Sequence, residues 1–174
     1  MRALCEAMKA DDFPAGPVLI LSNRPNAAGL DYARDEGLLN VVIDHTEFDS
    51  RGAFDAALDK ALSDVQPDII CLAGFMRLLT PGFVEKWAGR LINIHPSLLP
   101  KYSGLNTHQR ALDAGDAEAG CTVHYVVPEM DAGEIIGQSC LPILPGDTAE
   151  TLEARVRAEE HALYPACLRK LMSA

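Results

Sequence analysis

Leu91-Ile92-Asn93-Ile94-His95-Pro96-Ser97-Leu98-Leu99-Pro100 is an apolar strand running into a turn with two prolines, and it carries an amide and an imidazole at its end. Upstream, Pro17-Val18-Leu19-Ile20-Leu21-Ser22, Asn40-Val41-Val42-Ile43 and Asp68-Ile69-Ile70-Cys71-Leu72-Ala73 are short, nearly continuous apolar runs, the pattern of strands covered on both faces. They read as parallel strands. Helical stretches lie between them near Gly29 to Glu36 and Phe54 to Val65; in the second, Phe54, Leu58, Ala61 and Val65 recur at spacings of four, three and four. Alternation of this kind predicts a doubly wound α/β fold, a mostly parallel sheet with helices on both faces.

Beyond the quoted stretch the periodicity changes. Val123, Tyr125 and Val127 fall on one side of a strand and Thr122 and His124 on the other, which predicts a half-covered strand. Glu134 to Leu144 follows across the Asp131-Ala132-Gly133 turn, so a hairpin is expected in the carboxy-terminal part. Asp147 and Glu150 have the spacing of a capping box for a last helix with the stripe Leu152, Val156, Leu163 and Cys167, and Pro165 is expected to kink it. At the other end, Met1 to Lys9 already reads as a helix, whereas a doubly wound fold opens with a strand and a tight turn. The expectation is one domain over residues 1–174, shortened at its amino terminus by that strand and loop, with a sheet edge left open.

The chain has 174 residues, 48% of them hydrophobic and 23% charged, which fits an ordinary globular domain with a sizeable core. A formal charge of −10 argues against a nucleic-acid or anionic-membrane surface, so an anionic substrate must be held by a few local groups. No apolar run approaches the roughly 20 residues needed to cross a bilayer, and the start is not that of a signal peptide, so a cytoplasmic location is expected. Cys5, Cys71, Cys121, Cys140 and Cys167 lack metal-site spacing and read as buried, reduced thiols without a catalytic role.

Ligands of open parallel sheets bind beyond the carboxyl ends of the strands, which is where Asn93 and His95 fall. Local sequence leaves two readings: both residues stabilise a proline-rich turn, or both face a crevice. Asp131, in Glu129-Met130-Asp131-Ala132-Gly133, adds a carboxylate able to orient the ring. An amide donor, a titratable ring and an acid are the parts needed to meet a developing oxyanion and move a proton.

The long context decides between the readings. Asn93 through Tyr102, then Gly104-Leu105 and Thr107-His108, Val123-His124-Tyr125-Val126 and Met130-Asp131-Ala132-Gly133 strongly resemble the folate-dependent phosphoribosylglycinamide formyltransferases. The likeness runs from Leu21-Ser22-Asn23 through Glu160-His161-Ala162-Leu163-Tyr164-Pro165. It implies transfer of a formyl group from 10-formyltetrahydrofolate to the amine of glycinamide ribonucleotide in purine synthesis, with Asn93, His95 and Asp131 as catalytic residues and no metal.

By the same resemblance Phe75, Met76, Arg77, Leu78 and Leu79 line the folate pocket. Arg77 meets the glutamate end of the donor, Leu79 offers backbone groups to the pterin, and Arg51 assists at the carboxylates. Glu160 binds the ribose hydroxyls of the nucleotide, and Pro96 belongs to the substrate side. Read without the family, Arg77 is a surface residue and Glu160 part of a solvated helix face. His108, His124 and Thr122 lie near the motif as shaping or structural groups. Asn106 and Ser103 depart from the bacterial pattern, which often has His and Pro there. In the family, the loop expected to lie before this chain wraps the substrate phosphate. Partners are the two small molecules, with a homodimer left open. The rival functions are another folate-linked formyltransferase or a formyltetrahydrofolate hydrolase, and a non-catalytic folate-binding remnant.

Overall fold

A computed structural model describes residues 1–173. In chain order the elements are α1 (Arg2–Ala7), β1 (Ile20–Ser22), α2 (Ala28–Asp35), β2 (Asn40–Val42), α3 (Arg51–Val65), β3 (Ile70–Leu72), α4 (Pro81–Lys86), β4 (Leu91–His95), α5 (Thr107–Asp113), β5 (Glu118–Tyr125), β6 (Ile135–Pro142) and α6 (Ala149–Met172). Helix boundaries follow local chemistry. Ser50 caps α3 by accepting the Ala53 N–H, and Gln66 ends it in the left-handed region at φ 46°. Thr80 caps α4 with Pro81 in its first turn, a start signal written in the sequence but absent from the apolar pattern.

The capping box of α6 sits one residue later than Asp147 and Glu150 suggested. Thr148 and Thr151 each accept the other's backbone N–H. Asp147 is committed elsewhere: its carboxylate takes the Leu144 N–H, the Thr151 hydroxyl and the Arg155 guanidinium. The helix continues past Pro165 to Met172.

β1 pairs with β2 in parallel, and β3 with β4; β4, β5 and β6 then run antiparallel, in the order β3-β4-β5-β6. One face of the larger sheet packs under α1 and α6 through Leu4, Ile92, Val123, Tyr164 and Leu168. On the other side, Phe54 and Leu58 of α3, Phe83 and Val84 of α4, and Trp87 just after it cover Leu91, Ile70 and Leu21. Each such fully buried side chain contributes about 1.5 to 3 kcal/mol.

Two expectations are corrected. β5 is buried on both faces: Val123 packs under α6, and Thr122 and His124, 0% and 2% exposed, are covered as well. Thr122 is covered by the turn after β4, since its hydroxyl accepts the Leu99 N–H and donates to the Ser97 carbonyl. Among the thiols, Cys5, Cys121 and Cys167 are buried, Cys71 is half-buried and Cys140 is exposed.

Candidate active site

Asn93 and His95 are two residues apart on β4 and therefore leave it on the same side. Their partners across the ladder are His124 and Thr122 of β5. The chain after β5 then folds back and brings Asp131 over this surface. Asp131 sits in the left-handed region at φ 53°, a conformation that Asp tolerates better than most residues. Its Oδ2 accepts the Gly104 N–H at 2.8 Å and lies 3.5 Å from His95 Nδ1. Its Oδ1 lies 3.9 Å from His124 Nε2.

The two histidines have different tasks. His124 Nδ1 donates to the Tyr125 carbonyl at 2.8 Å, and burial pushes the ring's pKa below its ordinary value, which keeps it neutral. Its Nε2 is then a lone pair that accepts from Asn93 Nδ2 at 3.4 Å. This contact fixes which end of the Asn93 amide is nitrogen and leaves the second Nδ2 hydrogen for another acceptor. His95, 6% exposed, donates from Nε2 to the Tyr102 carbonyl at 3.0 Å. Its Nδ1 remains facing Asp131 across a gap too long for a strong bond, so that atom is available to a reacting group.

The loop that supplies the Tyr102 carbonyl is tied down. The Ser97 hydroxyl donates to the Lys101 carbonyl at 2.6 Å, and Lys101 and the Tyr102 hydroxyl both reach Asp116. Of the two departures, Asn106 occupies a left-handed position, φ 58°, at the start of α5, and the Ser103 carbonyl accepts from Arg110 at 2.6 Å.

The structure thus brings Asn93, His95 and Asp131 together. Among the described residues no hydrogen bond or ion pair joins the other expected residues to the three. Phe75 and Leu79 pack against the Phe54 and Phe83 cluster, while Met76 and Leu78 are exposed, Met76 by 73%. Arg77 holds its guanidinium 5.7 Å from the Phe54 ring, and Arg51 is exposed at the start of α3. Pro96 is in the wall of a cavity of about 640 Å³ together with His108 and Gln138. Glu160 is half-buried on α6; burial raises its carboxyl, the nearby Glu153 adds to this, and Arg157 opposes it. Sequence reasoning gave the Tyr102 carbonyl and the Gly104 N–H no role, because backbone groups carry no residue signature. His124 was legible as a member of an alternating pair and as a shaping or structural group near the motif, but its contact with Asn93 was not. Among the described residues, no cluster of His, Cys, Asp and Glu is arranged to hold a metal, and no helix is long and apolar enough to cross a membrane.

Residues 1–168 match the formyl transferase family. The chain belongs to that family. It is 44% identical to the phosphoribosylglycinamide formyltransferase of Escherichia coli K12, covering 95% of this chain and 78% of that one. The crystal structure of phosphoribosylglycinamide formyltransferase from Brucella melitensis superposes with a TM-score of 0.95 at 49% identity, covering 100% of this chain and 90% of that one. The trifunctional purine biosynthetic protein adenosine-3 of Bos taurus is 45% identical over 99% of this chain, which spans only 17% of the bovine protein's length.

In this chain Thr122 holds the turn after His95 in place: its hydroxyl also accepts from Gln138 at 2.9 Å. Thr122→Val keeps the shape and removes every one of these bonds, leaving the Leu99 N–H and Ser97 carbonyl buried without partners. A loss of about 2 to 4 kcal/mol is expected, read from denaturant midpoints, and an unchanged midpoint would show that the turn is held by packing alone.

A pH dependence follows from His124. The folded-state pKa is lowered from 6.5, so above 6.5 the ring is neutral in both states and its contribution is complete. As pH falls below 6.5 the unfolded chain binds the proton first, and stability is lost down to the folded-state value. His108, also lowered by burial, acts with the same sign. The thermal midpoint is expected to drop between pH 7.5 and 5.5, roughly one unit to either side of the ordinary histidine value, and His124→Gln should flatten part of the slope. An equal slope in the variant would remove His124 from this account.

Proposed function

We propose that the protein transfers the formyl group of 10-formyltetrahydrofolate to the primary amine of glycinamide ribonucleotide, a step of de novo purine synthesis. The observation that carries this reading is the convergence of three groups at one point: the Asn93 amide with a free N–H, His95 Nδ1, and Asp131 3.5 Å away. Attack of the amine on the formyl carbon forms one C–N bond and leaves a tetrahedral carbon bearing an oxyanion. Asn93 and the protonated His95 donate to that oxygen. Asp131 anchors a water that takes the proton from the attacking nitrogen and delivers it to the folate nitrogen as the second C–N bond breaks. The chain supplies positioning and charge, with no covalent intermediate on the protein.

Phe75, Met76, Leu78 and Leu79 would receive the folate, with Arg77 and Arg51 toward its carboxylates. Glu160 would accept from the ribose hydroxyls, and Pro96 would border the substrate side. The free thiols suit a reducing, cytoplasmic compartment. The test is direct: the protein is given the formyl donor with glycinamide ribonucleotide, with water only, and with other amines. Formylated nucleotide as the main product is expected. Release of formate without acceptor would favour a hydrolase, and donor binding without turnover a folate-binding protein.

The donor site has its own prediction. Arg77 is exposed at the edge of an apolar wall and makes no ion pair among the described residues. Arg77→Ala should weaken a glutamate-bearing folate by about 1 kcal/mol, roughly the worth of an exposed charge pair, and leave a pterin without that tail less affected. Calorimetry showing equal losses for both ligands would make Arg77 a structural residue.

A further inference from the structure

Every second residue from Tyr102 to Asn106 has a left-handed backbone: Tyr102 at φ 59°, Gly104 at φ 79° and Asn106 at φ 58°. Glycine takes this conformation freely and asparagine tolerates it, whereas in tyrosine the Cβ crowds the following carbonyl oxygen. Such a residue persists only where its surroundings hold it there. The turn of the chain at Tyr102 aims two backbone groups at His95 and Asp131. The Tyr102 carbonyl accepts from His95 Nε2 at 3.0 Å, and two residues on the Gly104 N–H donates to Asp131 Oδ2 at 2.8 Å.

Tyr102 is gripped through its side chain. Its hydroxyl donates to Asp116 Oδ2 at 2.8 Å, and Lys101 Nζ, one residue before, donates to both Asp116 oxygens at 3.0 Å. The Arg110 guanidinium lies 5.1 Å from the Tyr102 ring centroid and donates to the Ser103 carbonyl at 2.6 Å. Asp116 is itself fixed, since its N–H donates to the Ala111 carbonyl just after the left-handed Gly115. The hydrogen bonds from Tyr102 and Lys101 hold its carboxyl below the ordinary range, so it is an anion at neutral pH. Ser97 bonds the Lys101 carbonyl at 2.6 Å and reaches the Tyr102 carbonyl at only 3.4 Å, which leaves the torsion of Tyr102 to its own side chain.

We propose that Asp116 is a positioning residue for His95. By holding Tyr102 left-handed it keeps the Tyr102 carbonyl on Nε2, so the neutral ring carries its proton there and turns the Nδ1 lone pair toward Asp131 and the substrate. Protonation then occurs at Nδ1, the atom that donates to the oxyanion. Without the grip Tyr102 relaxes toward negative φ, its carbonyl turns away, and the ring is free to take the other tautomer. The consequence for rate rests on the formyl-transfer reading; the consequence for the tautomer does not.

The test reads the ring directly. Nitrogen NMR shifts of His95 at alkaline pH should show the Nε2–H tautomer in the parent and a mixture in Asp116→Ala. The same variant should lose at least about tenfold in kcat, with the affinity for 10-formyltetrahydrofolate changed much less. Tyr102→Phe removes the hydroxyl and keeps the ring, so adding it to Asp116→Ala should cost no further rate. Asp116→Asn retains an acceptor for that hydroxyl and should keep the parent's tautomer. A folded Asp116→Ala protein with the parent's tautomer would overturn the proposal, as would losses that add in the double variant. Where Asp116→Ala does not fold, Tyr102→Phe decides in its place, with an unchanged tautomer counting against the proposal. An inactive parent whose tautomer still changes in the variants would remove formyl transfer and leave the positioning role standing.

Discussion

Asp131→Ala is expected to slow formyl transfer by at least about a hundredfold while changing folate affinity much less. The carboxylate touches His95 Nδ1 on one side and the Gly104 N–H on the other, so its removal takes away both the anchor for the transferred proton and the charge that faces the imidazole. Asp131→Asn separates these tasks, because the amide oxygen can still accept from Gly104 but brings no negative charge. Both variants should be slow, with only the Ala variant also losing order in the Gly104 loop. Asn93→Ala and His95→Ala should fall by a similar factor, since each is proposed to act on the transition state. Single-turnover rates decide the matter, and an Asp131→Ala protein that transfers the formyl group at the parent rate would end the assignment.

Gly133→Ala is expected to cost about 3 kcal/mol or more and to take most of the activity with it. A Cβ at this position would lie 1.7 Å from the Tyr125 carbonyl oxygen and 2.7 Å from its carbon. Both are backbone atoms, so no rotamer relieves the clash and the two chain segments must separate. That movement breaks the bond from the Tyr125 N–H to the Glu134 carbonyl and shifts Asp131, two residues away, from His95. Gly52, inside α3 with nothing within 4 Å of its Cβ position, is the control; Gly52→Ala should be neutral or gain about 0.5 to 1 kcal/mol. Equal thermal midpoints for the two variants would show that the Asp131 turn tolerates displacement.

The family's presence across residues 1–168 agrees with how much of this site is local. Asn93 and His95 share a side of β4 because a strand has period two, and no partner is needed to see that. The turn at Asp131-Ala132-Gly133 is likewise legible as a break between two strand patterns. The His124 contact is of another kind. It depends on Asn93 pairing with His124 and His95 with Thr122, a register between segments about thirty residues apart that neither segment specifies alone.

Apolar runs, their spacing and the residues at their ends determined the alternation of strand and helix, the place of the amide and imidazole, and the turn that carries the acid, because each depends on backbone geometry within a few residues. Tertiary structure alone decided that β5 is covered on both faces, that His124 is buried neutral and orients the Asn93 amide, and that Tyr102 and Gly104 contribute backbone groups. Burial, protonation and hydrogen-bond partners are properties of what surrounds a residue, and here those surroundings come from segments distant in the chain.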